Sequence, residues 1–91
     1  MPYIRKLDRP PLDKLVQQLS SKIDSTGDLN YVITSLLHHE VNKQGKNYEN
    51  LNRLEGVIGC VGKEFYRTVS APYEYKKSII NGDLNFIKEK E

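Results

Sequence analysis

Apolar residues recur along this chain at helical spacing, in three successive runs. Leu12, Leu15, Val16, Leu19 and Ile23 fall at i, i+3, i+4, i+7 and i+11, which places them on one face of an amphipathic helix. Pro10 and Pro11 suit its first turn, where backbone N–H groups have no intrahelical partner to lose. Gly27 is placed to close it in the left-handed conformation. Leu29, Val32, Ile33, Leu36, Leu37 and Val41 form a second stripe, with Asp28 as its expected cap and Gly45 as its stop. Leu51, Leu54, Ile58, Val61, Phe65 and Thr68 step by 3, 4, 3, 4 and 3 residues, close to the heptad period. Val57 and Val69 widen that third stripe, and Asn47 is its expected cap.

The punctuation between the runs completes the outline. Residues 1–11 read as an extended N-terminal arm, because Pro2, Pro10 and Pro11 each oppose a helical residue before them. Pro72 lacks a backbone donor and meets the carbonyl four residues back. The pattern therefore predicts a kink or short break near Ser70, then a last helical piece from Tyr73 to Ile80. Asn81-Gly82 stops it, and residues 83–91 form a tail with Leu84, Phe86 and Ile87 able to reach a groove. The fold class expected is all-α: one domain over 1–91, a small bundle of three to four helices. Its third helix is long and kinked near Pro72, and extended arms flank the bundle.

One segment strains this picture. Gly56, Gly59 and Gly62 lie beside Cys60 within the third helix, and each glycine costs roughly 1 kcal/mol against alanine there. Close approach of another helix, within the fold or across a dimer axis, is the reading favoured. A helix break or a ligand on the bare backbone are the alternatives.

Composition narrows the function classes. A domain of 91 residues buries only about 60% of its unfolded surface, so a homo-oligomer, dimer or higher, is the expected way to enlarge the core. Fourteen basic residues are interspersed with 12 acidic ones, for a net charge of +2. A nucleic-acid binder gathers its cations into a patch, so specific nucleic-acid binding is not expected. The single cysteine excludes an intrachain disulfide. The first residues hold no apolar signal core, and no apolar run approaches the ~20 residues of a membrane span. The expectation is a cytoplasmic protein without a membrane.

Chemistry-bearing constellations are sparse. His38 and His39 are adjacent, so on a helix they point about 100° apart and do not chelate one ion. Cys60 has no histidine near it in sequence, no two of Glu49, Glu55, Glu64 and Glu74 stand three or four apart, and neither GxxxxGK[ST] nor GxGxxG occurs. No catalytic residue, metal ligand or cofactor is assigned, and the protein is not expected to be an enzyme. Asn30, Thr34 and His38 line up at four-residue steps with Tyr31 on the flank. Tyr66 and Tyr73 are seven residues apart and share a helical face if Pro72 leaves the helix mostly intact, with Arg67 beside them. Ring surfaces next to a planar cation recognise bases and phosphates, or else cover a core edge while their hydroxyls stay wet.

The blocks MPYI (1–4), GDLNYVIT (27–34), EFYR (64–67), APYE (71–74) and NGD (81–83) resemble a family of short bacterial and bacteriophage proteins of unknown function. The resemblance covers essentially the whole chain, although Thr68-Val69-Ser70 and the terminal FIKEKE depart from the pattern. It implies a phage or bacterial cytosolic protein and brings no activity or ligand with it.

These readings converge on a non-enzymatic, helical, oligomeric binding protein. Its expected ligand is small, anionic and nucleotide-like, such as a host-defence signal. The alternative is a protein–protein adaptor or inhibitor of a host or phage enzyme. The candidate binding residues are Tyr3, Arg5, Asn30, Tyr31, Thr34, Tyr66, Arg67 and Tyr73.

Overall fold

The structure, a computed structural model, describes residues 2–84 and 86. Among them every regular element is helical: a 3₁₀ turn at Lys6–Asp8, α1 at Pro10–Ser20, α2 at Thr26–Gln44, α3 at Tyr48–Phe65, a π-helical segment at Tyr66–Ser70 and α4 at Ala71–Asn81. The chain divides into two units, Met1–Ile58 and Gly59–Glu91.

In the first unit, α1 begins two residues before the first apolar position, with both prolines in its opening turn. The 3₁₀ turn lies within the stretch expected to be extended, held by the Asp8 N–H bonding to the Arg5 carbonyl at 3.0 Å. α1 stops at Ser20, well before Gly27. The Ser21 hydroxyl donates to the Gln18 carbonyl at 2.7 Å, the local competition with the helix ladder that serine offers. Ile23 therefore falls outside α1, and Gly27 lies inside the first turn of α2.

The cap of α2 is Ser25, not Asp28. The Asp28 N–H donates to the Ser25 hydroxyl at 3.0 Å, and the Asp28 carboxylate accepts from the Asp24 N–H at 3.0 Å. The arrangement is a variant of the capping box, and it holds a negative charge at the positive end of the helix dipole. Gly45 ends α2 at φ 98°, as its spacing predicts. Asn47 caps α3, its Oδ1 accepting from the Asn50 N–H at 2.9 Å.

Among the described residues, burial is greatest beside the α2–α3 turn. Asn50 is 3% exposed and Leu54 6%. The Asn50 amide donates to the carbonyls of Gly45 at 2.8 Å and Glu40 at 3.4 Å. Its oxygen accepts from Arg53 Nε at 3.1 Å and Nη2 at 2.9 Å. Arg53 then faces Glu40 at 3.5 Å, and Lys43 closes on the same carboxylate at 2.7 Å. The hydrogen bond and charge of Lys43, with Arg53 second, hold the Glu40 carboxyl below its ordinary range against partial desolvation.

Away from that turn the apolar stripes lie open. Leu12, Leu15, Val16 and Leu19 of α1, Leu29, Ile33 and Leu36 of α2, and Leu51, Val57 and Ile58 of α3 are all exposed. The elements in sustained contact are sequence neighbours, the 3₁₀ turn with α1 and the π segment with α4. The amphipathic helices form as the pattern predicts, and in the first unit these described stripe residues stay exposed.

The second unit carries the end of α3, the π segment and α4. Helical structure continues through Ser70, where the sequence predicts a kink or break. The Ala71 N–H bonds five residues back, to the Tyr66 carbonyl, instead of the usual four. Pro72 supplies the reason: it has no N–H to give, and its ring collides with the carbonyl at i−4 in α register, a clash that widening into π register relieves. Gly82, at φ 87°, ends α4. A Cβ at Gly56, Gly59 or Gly62 meets nothing within 4 Å among the described residues. Of the expected tail, residues 85 and 87–91, including Ile87, lie outside the described residues. No described helix is long and apolar enough to cross a membrane.

Candidate functional site

The eight candidate residues fall into three places. Tyr3 and Arg5 lie just ahead of α1. Arg9 Nε donates to the Ile4 carbonyl at 2.9 Å, which ties this stretch to the start of the helix. Arg5 is already engaged, its Nε and Nη2 donating to the two Asp8 carboxylate oxygens at 2.8 and 3.3 Å. Both groups remain largely in water, so the pair is a weak one that a bound anion can compete for.

Asn30, Tyr31 and Thr34 lie on α2. The four-residue step brings Thr34 Oγ1 onto Asn30 Oδ1 at 3.1 Å, so the hydroxyl donates along the helix surface. Tyr31, Thr34, Ser35, His38 and His39 line an open recess of about 320 Å³. Its neighbour, of about 310 Å³, shares His38 and adds Val41, Asn42, Lys46 and Leu51. Ring, hydroxyl and imidazole groups thus converge on one side of α2. Ser35 and His39 were not among the candidates, though both were within reach of sequence reasoning: Tyr31, Ser35 and His39 repeat at four-residue steps just as Asn30, Thr34 and His38 do. Among the described residues no group of three or more His, Cys, Asp or Glu side chains gathers as for a metal ion.

Tyr66, Arg67 and Tyr73 belong to the second unit, and the π segment decides how they meet. In an unbroken α-helix, residues seven apart share a face. The wider π turn takes up one residue more, so the side chain above Tyr66 is at i+8. The Tyr66 hydroxyl accordingly reaches Glu74 Oε2, at 3.4 Å. Tyr73 is turned away from that line by one residue and receives Lys77, whose Nζ stands 5.7 Å from the ring centroid. Arg67 pairs with Glu64 through Nη2 and Oε1, and Thr68 Oγ1 donates to the Glu64 carbonyl at 2.8 Å. Tyr66, Arg67 and Tyr73 all stay exposed. The shared Tyr66–Tyr73 face expected for an intact α-helix is replaced by two adjoining ones, Tyr66 with Glu74 and Tyr73 with Lys77.

A comparison with family models matches residues 1–84 to a domain of unknown function, DUF6899. The chain belongs to this family. The DUF6899 match takes in all eight candidate residues, the α2–α3 turn and the π segment. No curated protein and no solved structure matches the chain.

Proposed function

We propose that this DUF6899 chain is a non-enzymatic, helical, homo-oligomeric binding protein of phage or bacterial type. In this reading it acts in the cytoplasm and sequesters a small anionic, nucleotide-like ligand such as a host-defence signal. The observation that carries the reading is the π segment itself. π turns are rare and concentrate at functional sites, and this one begins at the Tyr66-Arg67 pair and leads into Tyr73 and Lys77. Two exposed rings, a guanidinium and an ammonium within a dozen residues supply stacking faces and anion donors together. The π register at Tyr66–Ser70 sets the two faces apart. Tyr3 and Arg5 ahead of α1, and Asn30, Tyr31 and Thr34 on α2, are two further proposed contact points in the first unit.

Thermal-shift measurements against a panel of cyclic and linear nucleotides test this. At least one nucleotide is expected to raise the Tm, with the gain reduced by Arg67→Ala, by Tyr66→Ala and by added salt. A panel without any shift sinks the proposal.

The open apolar face of α1 favours a second reading, an adaptor or inhibitor that docks on a host or phage enzyme. Recovery of one stoichiometric partner from lysate, with no nucleotide response, favours it over the first.

A further inference from the structure

The geometry points to an anion site at the α2–α3 turn: a cleft for a nucleoside monophosphate, its phosphate held by His38, Asn42 and Lys46 and its base against Tyr31. This rests on the nucleotide reading above and gives that reading a second site, within the first unit.

The cleft consists of two adjoining recesses that share His38. Tyr31, His38 and Asn42 stand at i, i+7 and i+11 of α2, so they lie along one side of it. Leu51 lines the second recess from α3, and Lys46 lines it from the turn between the helices. That turn is fixed, because the Asn50 amide holds the carbonyls of Gly45 at 2.8 Å and Glu40 at 3.4 Å. Lys46 thus follows directly on a fastened residue, and a rigid support is what gives a binding group its precision.

The lining sets the charge of the ligand. The chain has 12 acidic residues, yet none of those described lines either recess. Lys46, unlike Arg5, Lys43, Arg53 and Arg67, has no carboxylate partner among the described residues. An ammonium, a carboxamide and an imidazole all bring N–H donors to the second recess, and imidazole keeps one donor even when neutral. A cation meets no opposite charge there, whereas a phosphoryl group meets one charged donor and two polar ones.

Size and the remaining surfaces set the rest of the ligand. The recesses measure about 320 and 310 Å³, each near the lower end of small-molecule sites. The seven residues from Tyr31 to His38 rise about 10 Å along the helix. A base joined through ribose to a phosphate bridges that span with side chains of these lengths. Tyr31 is 74% exposed, which leaves its ring open to stacking. Val41 and Leu51 give the sugar an apolar wall.

The test titrates adenosine monophosphate (AMP) and inorganic phosphate separately into the full chain. Binding is mapped by NMR at the His38 imidazole, the Asn42 and Lys46 amides and the Tyr31 ring. AMP is expected to shift all four, and phosphate to shift the first three more weakly while leaving Tyr31 in place. Lys46→Ala is expected to weaken AMP binding roughly threefold or more. Tyr31→Ala is expected to weaken it roughly fivefold or more without changing phosphate affinity. Lys14→Ala, which removes the same charge from α1, is expected to change neither. Equal losses from Lys46→Ala and Lys14→Ala overturn the inference, because overall charge alone then attracts the anion. AMP shifts confined to Tyr66, Arg67 and Tyr73 overturn it and leave the broader reading standing. The absence of a shift with any nucleotide overturns both.

Discussion

The side-chain amide of Asn50 donates to the carbonyl of Gly45 at 2.8 Å, and through it the first turn of α3 is fastened to the end of α2. Asn50 is the best-buried polar residue described, with both ends of its amide satisfied. Replacement by alanine leaves the Gly45 carbonyl and the Arg53 guanidinium without that partner. Asn50→Ala is expected to cost about 1–3 kcal/mol, measured by urea denaturation. An unchanged midpoint removes the turn from the account of stability.

The glycines divide by environment. At Gly45, φ is 98° and a Cβ would stand 3.2 Å from Asn47 Nδ2, so Gly45→Ala is expected to destabilise by about 1 kcal/mol or more. At Gly56 the backbone is helical and the space beside it is open. Gly56→Ala is expected to stabilise by about 0.5–1 kcal/mol. Paired thermal melts read the opposite signs directly, and a loss at Gly56 would show that another surface packs against it.

Glu40 gives the turn a pH dependence. Its carboxyl is held below the ordinary value of 4.5, chiefly by Lys43 and then by Arg53. A group whose folded pKa is depressed adds stability above its unfolded pKa, and that stability is lost as pH falls through the folded one. The small contribution of Glu40 is thus complete above the ordinary glutamate range and disappears below it. Carboxyl titration by NMR is expected to place Glu40 low, with Lys43→Ala raising it more than Arg53→Ala.

Pro72→Ala restores a backbone donor and removes the clash that favours π register. The variant is expected to revert to continuous α-helix, to gain at most about 3 kcal/mol in helix propensity, and to lose the Tyr66–Glu74 contact. Circular dichroism and side-chain NOEs check the register. If the rings and Arg67 hold a ligand, any nucleotide-induced Tm shift is expected to fall with it.

Much of this was legible in the residues because it depends on local chemistry. The stripe of Leu12, Leu15, Val16 and Leu19, the stops at Gly45 and Gly82 and the Asn47 cap need no distant partner to be recognised. At the end of α1 two local signals compete: the helix stops at Ser20, where the Ser21 hydroxyl bonds to the Gln18 carbonyl, before the glycine whose spacing predicts the close. The Ser25 cap was legible in S-x-x-D, and the Tyr31, Ser35, His39 row in its spacing. The Asn50 lock was not, since its acceptors are carbonyls that only the turn geometry brings within reach.

The sequence by itself determined that the chain is helical, where most helix ends fall, and that each helix has an apolar face. Those properties follow from backbone sterics, capping groups and periodicity within a turn or two. Tertiary structure alone decided that Tyr66 meets Glu74, because one residue of π register rotates everything beyond it. It also decided which apolar residues are buried, Leu54 among those described while Leu51 and Ile58 stay exposed, because periodicity specifies that a face is to be buried without specifying against what.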